Sequence, residues 1–198
     1  MADRPSTARF PRRVPLLSPE DFSPEQAQAV GAWTYLDFSQ VLVRHPAMYR
    51  TFVPFLAALI TQTALPPRDR EIVCLRMLRA CDDVYEHTHH VDIARREGMT
   101  DVEIEQASEG RGDSLTDFDL VLIAATEELR RDQRVSDATW AALGERYSQQ
   151  QQMELVFLAG CYETMAMLTK SFGIQLETSQ EDLAKVNALR TYIAERVE

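Results

Sequence analysis

The chain has 198 residues, 45% of them apolar and 26% charged, which suits one domain with a full core or two small lobes of one compact unit. Its net charge of −10 argues against nonspecific nucleic-acid binding and against anionic membranes. Three cysteines make no disulfide framework, no apolar run is long enough to span a bilayer, and the arginines near the N-terminus have no apolar stretch behind them to make a signal peptide. A reducing, cytoplasmic setting is therefore expected.

Residues 1–22 carry Pro5, Pro11, Pro15 and Pro19 among four arginines, a density that favours extended chain and excludes a helix. Such a segment reads either as a mobile tail or as an arm laid over a neighbouring subunit. From Ser23 the pattern is helical. Ser23-Pro24-Glu25-Gln26 is a helix start with a capping serine, proline at the first position and glutamine at the third. His45-Pro46 opens a second helix with Met48, Phe52, Phe55, Leu56 and Leu59 at three-and-four spacing; Pro54 inside it predicts a kink or a break. His45 needs no role beyond starting that helix.

After Pro66-Pro67 the spacing predicts a helix over 68–81, burying Ile72, Leu75 and Met77 or Leu78, with Glu71 in its first turn. The next helix is predicted over 84–97, closed by Gly98, and Thr100 to Glu103 is a capping box for a short helix behind it. Thr116 and Ser136 start two more. A long helix over about 149–171 carries Leu155, Leu158, Tyr162, Met165 and Leu168 and stops at Gly173. Ser179 caps a last amphipathic helix over 178–198. No period-two strand pattern occurs, so the fold class is all-α.

Chemistry concentrates in Tyr85-Glu86-His87-Thr88-His89-His90, where three of the four histidines fall within four positions. On a helix Glu86 and His90 share a face, His87 lies near it, and His89 points about 100° away. If helices 68–81 and 84–97 pack antiparallel, Glu71 returns to within about one turn of His90. Two carboxylates beside one imidazole make an acid and a base for one substrate carbon, with one of the carboxylates holding a proton at neutral pH. The same residues also make sense as a buried network that ties two helices together. Glu86, His87 and His90 have spacing that zinc accepts. Cys74, Cys81 and Cys161 read as small buried hydrophobes.

Glu71-Ile-Val-Cys-Leu-Arg-Met-Leu, then Tyr85 to Val91, Ala94, Gly98-Met99-Thr100 and Glu103-Ile104 resemble the carboxymuconolactone decarboxylase and alkylhydroperoxidase D-like superfamily over about residues 68–107, more loosely to Glu177. The resemblance implies an alkylhydroperoxidase D-like helical bundle over residues 23–177. Peroxidase members carry a Cys-x-x-Cys pair whose positions, counted back from His90, fall here on Asp83 and Glu86. The tyrosine–glutamate form is similar to the decarboxylase-like side, whose usual tryptophan after the glutamate is here His87. Where many relatives have an asparagine three residues before the glycine that ends the long helix, this chain has Lys170.

The resemblance implies a cofactor-free lyase or isomerase acting by Glu/His proton transfer on a small lactone or aromatic-derived acid, as in the breakdown of aromatic compounds. In that reading Glu71, Glu86 and His90 are catalytic, Tyr85, His87 and Tyr162 line the pocket, and neither metal nor cofactor is needed. Relatives form trimers or dimers of trimers, and a homo-oligomer is expected here, with a small-molecule substrate and no nucleic-acid or membrane partner. The rival expectations are a thiol peroxidase, which would have Cys81 as its only thiol near the motif, and an oligomeric binding protein without catalysis.

Overall fold

The structure is a computed structural model and describes residues 10–31 and 36–177. The helix expected over 178–198 and the first nine residues lie outside the described residues. Those described form the helices α1 (Pro24–Val30), α2 (Asp37–Leu42), α3 (Pro46–Thr61), α4 (Pro67–Ala80), α5 (Val84–Arg96), α6 (Asp101–Glu109), α7 (Asp117–Asp132), α8 (Asp137–Gly144) and α9 (Gln149–Phe172). A single 3-10 turn, Pro19–Asp21, precedes them, and no strand occurs among the described residues. The chain packs as two compact units, one built from residues up to Thr61 together with those from Leu168 on, the other from Gln62–Met167.

In the first unit α1 starts with the capping box read from Ser23 and Gln26. Its core is Val30, Val43 and Tyr49, covered by Leu17, Phe22, Ala29, Leu42 and Val53. His45 sits at the start of α3, where its Nδ1 accepts from the Met48 amide. Pro54 does not break α3, which runs unbroken to Thr61. Proline removes one hydrogen bond to the carbonyl four residues back, here Arg50, and both residues lie on the exposed side where water reaches that carbonyl. The expected stripe is also rotated: Met48 and Phe55 are exposed while Tyr49 turns inward.

The proline-rich segment, over its described part, is fastened to the helices of its own unit. The amides of Arg13 and Val14 donate to the Phe172 carbonyl, Leu17 donates to Gln40, and Arg44 donates to the carbonyls of Pro15 and Leu16. Proline carbonyls remain acceptors even though the ring removes the donor, so an arginine can fasten such a segment. Gly173 makes the approach possible: it holds φ +69°, and a Cβ there would lie 2.1 Å from the Pro11 carbonyl oxygen.

The second unit is arranged around α4, which packs against α5, α6 and α7. Asp69 to Leu75 are buried without interruption, so this helix is enclosed on all sides. Its charged residues are paired in consequence. Arg68 bridges Asp119 at 2.7 Å and Glu103 at 2.9 Å, and Tyr147 donates to Asp69 at 2.7 Å. The helix begins at Pro67, so Asp69 occupies the first turn and Glu71 lies a turn deeper.

The turn between α4 and α5 is three residues long, with Asp82 at φ 60° reversing the chain and Asp83 capping α5 through the amides of Tyr85 and Glu86. Gly98, at φ +85°, closes α5, and the Met99 amide reaches back to Ala94. The capping boxes at Thr100 and Thr116 start α6 and α7.

Candidate active site

The antiparallel pair α4 and α5 puts Glu71 Oε2 2.6 Å from His90 Nδ1, both side chains almost completely buried. Arg70 Nε donates to the other carboxylate oxygen, Oε1, at 3.2 Å. A carboxylate held by a permanent cation is an acceptor, so His90 donates through Nδ1 and its second ring nitrogen, Nε2, carries the lone pair in the neutral tautomer. The Tyr162 ring from α9 meets the His90 ring edge-on, centroids 4.6 Å apart, which fixes the imidazole plane.

Around this pair the thiols are closer than the sequence suggests. Cys74, one turn after Glu71, lies close to Tyr162, and the donor atoms of Glu71, Cys74 and His90 all lie within 4.8 Å of one another. Cys161 is also buried near Glu86. Cys81, expected as the only thiol near the motif, instead bonds to Met77. The signal for Cys74 was present in the sequence as an i, i+3 spacing from Glu71 on one helix.

Burial pushes the Cys74 thiol well up, the Glu71 charge adds to this, and Arg70 and the nearby Tyr162 hydroxyl act against it. Burial likewise raises Cys161 to about 12, with the charge of Glu86 adding to it. The Tyr162 phenol is pushed up by burial first, then by Cys74, Glu71 and Glu86. These groups stay neutral near pH 7. Glu86 is buried on the same helix as His90 and close enough to act on Cys161 and Tyr162.

Other expected pocket residues are engaged elsewhere. Tyr85 is buried with its ring edge-on to His89 at 4.8 Å. His87 Nε2 lies 2.9 Å from Ser108 Oγ on α6, and the Ser108 hydroxyl donates to the Ile104 carbonyl. Its proton thus committed, Ser108 accepts from His87, which fixes the Nε2–H tautomer. Burial, with Arg79 and His90 adding to it, lowers His87 to about 4. The trio Glu86, His87 and His90 is not brought together as a ligand set among the described residues; Glu71, Cys74 and His90 are. Asp83 and Glu86, standing where a redox cysteine pair would be, serve as a helix cap and a buried acid.

Residues 46–114 match the model of the carboxymuconolactone decarboxylase family. No curated protein matches. A solved structure of an uncharacterised peroxidase-related protein from Ralstonia eutropha, described as an alkylhydroperoxidase AhpD core, superposes with a TM-score of 0.73 at 14% identity, covering 86% of this chain and 93% of that one. A protein of unknown function from Agrobacterium tumefaciens, described as a candidate antioxidant defence protein AhpD, superposes with a TM-score of 0.64 at 14% identity, covering 70% of this chain and 96% of that one. At that identity the two likenesses establish the fold. Together the findings agree with the resemblance read from the sequence: residues 46–114 match the family model, and the helical fold is shared with the AhpD-like structures.

Proposed function

We propose that the protein is an acid–base enzyme of the decarboxylase-like kind, needing no cofactor and acting on a small lactone or aromatic-derived acid. The observation that carries this reading is the 2.6 Å bond between His90 and Glu71, with Arg70 on the far carboxylate oxygen. Glu71 orients the imidazole and stabilises its protonated form, so that Nε2 takes or delivers a proton at carbon. In a decarboxylation the bond to the leaving carboxylate breaks, its electron pair remains as an enolate, and His90 protonates that carbon. Glu86 supplies the second carboxylate, and Tyr162 holds the ring.

The test is to screen lactone and aromatic acids for thermal stabilisation and to follow turnover of those that bind. Glu71→Gln and Glu86→Gln keep shape and remove charge, so each is expected to cut turnover about tenfold or more in a folded protein. The double variant is expected to cost less than the sum, because both act on one imidazole. Binding and turnover indifferent to both would sink the reading.

The presence of Cys74 within the Glu71–His90 cluster gives the thiol peroxidase a second hearing. Against it, peroxide chemistry needs a low-pKa accessible thiolate, and this thiol is buried and raised. Peroxide turnover that disappears in folded Cys74→Ser would decide for the peroxidase.

We also propose that the protein assembles with copies of itself in a reducing compartment. On α9 the residues Met153, Val156, Phe157, Gly160, Thr164 and Met167 form one exposed face without a charge. On a chain of net charge −10 a second copy meets least repulsion at such a face. Light scattering is expected to give a multiple of 22.6 kDa, and Phe157→Glu to shift it toward the monomer. A monomer in the unmodified protein would end this idea.

A further inference from the structure

We propose that Glu71, Cys74 and His90 form a binding site for a single thiophilic divalent cation of the zinc class, seated where the proton shared by Glu71 and His90 now lies. The cation site stands on geometry alone; only its consequence, inhibition, rests on the proton-transfer reading above.

The donor set is one sulfur, one nitrogen and one carboxylate oxygen, the mixture that zinc takes, and three protein ligands leave the fourth tetrahedral position open. The three donor atoms lie within 4.8 Å of one another, so a central ion would sit no more than about 2.8 Å from each. Zinc needs about 2.3 Å to sulfur and about 2.0–2.2 Å to nitrogen and oxygen, so Glu71 and His90, now 2.6 Å apart, open by roughly half an ångström or more to admit the ion while the Cys74 sulfur turns toward it. Glu71 and Cys74 come from adjacent turns of one rigid helix and His90 from its antiparallel partner, so small side-chain rotations suffice to rearrange the triangle around an ion.

Outer partners are already in place. Arg70 Nε holds Glu71 Oε1 at 3.2 Å, and the Tyr162 ring fixes the His90 plane. Such contacts orient ligands and are worth about 10–100-fold in metal affinity. Charge balances as well: on binding, the Cys74 thiol loses its proton to solvent and the imidazole proton moves from Nδ1 to Nε2. Thiolate and carboxylate then match the two charges of the ion beside a neutral imidazole. The buried Arg70 beside Glu71 carries a further positive charge, as it does without the ion, so the neutral sum is that of the ion and its three ligands alone. Bound there, the cation removes both the Glu71–His90 hydrogen bond and the basic lone pair.

The experiment uses the full chain stripped with a chelator, titrated with Co²⁺ alone and then competed with Zn²⁺ alone. The expected result is one Co²⁺ per chain, thiolate-to-cobalt charge-transfer absorption, the visible bands of a tetrahedral ion, and displacement of all of these by Zn²⁺. Cys74→Ser is expected to lose the charge-transfer band and weaken binding about tenfold or more, whereas Cys81→Ser keeps both. Should Cys74→Ser fold poorly, Cys74→Ala and the stoichiometry of the unmodified protein decide the matter. No stoichiometric uptake, or a charge-transfer band that survives loss of Cys74, overturns the site. Cation binding that leaves turnover of the screened acids intact keeps the site and overturns the catalytic assignment of Glu71 and His90.

Discussion

His90→Ala is expected to lower turnover by about 10²–10⁴, the usual worth of a positioned proton carrier. The ring it removes is the one whose Nδ1 is fixed by Glu71 at 2.6 Å, the arrangement that readies Nε2 to carry a proton. His89→Ala is the internal control. That ring lies against Tyr85, one residue along the helix and about 100° round it, so its loss costs packing and little rate. The two variants separate chemistry from stability. A purely structural network predicts that His90→Ala lowers the melting temperature, by leaving the Glu71 carboxylate buried with Arg70 alone, while turnover per folded molecule stays put. Turnover of a screened acid that falls equally in both variants, or in neither, rejects His90 as the proton carrier.

The hairpin that carries this chemistry was legible because its signals are local. Asp83 and Gly98 bound α5, and antiparallel return over a three-residue turn brings Glu71 to His90 by helix geometry alone. Less visible was the depth of α4. Its run Asp69-Arg70-Glu71 reads as a solvated surface by composition, yet all three are buried, Asp69 against the Tyr147 hydroxyl, Glu71 against His90 and Arg70 between Glu71 and Glu97. Periodicity weighs residues by polarity and cannot see those partners. The same blindness made Cys74 look like filler, although it stands one turn from Glu71 and touches Tyr162, far away in sequence. Pro54 misled in the opposite direction. A helix interior tolerates proline where the orphaned carbonyl faces water, and the exposed side of a helix is fixed only once its neighbours are known.

Stability is expected to fall with acid in two separate steps, and the first belongs to His87. Unfolded, its imidazole takes a proton near 6.5; folded, burial and the neighbouring Arg79 and His90 hold it back to about 4. Between those values the unfolded chain binds the extra proton, so the stabilisation is complete above about 6.5, drains away as pH falls toward about 4, and changes no further below that. A shift of that size is worth at most about 3 kcal/mol, since one pKa unit is about 1.4 kcal/mol. The second step belongs to carboxylates held below their ordinary range, Glu103, Asp119, Glu128 and Glu154 among them, with Glu103 lowered to about 2. Bonds from the Thr100 amide and hydroxyl, then from Arg68, lower it to about 2 from 4.5, so its contribution is present above about 4.5 and lost as pH falls toward about 2. His87→Gln distinguishes the two. Its amide still donates to Ser108, as the Nε2–H of His87 does, but it cannot be protonated in this range. Denaturation midpoints of that variant are expected to stay level between about pH 6.5 and about pH 4.5, and then to fall as the unmodified protein does. A first step that persists at full size in His87→Gln would mean that another group holds back that proton, and would remove His87 from the account.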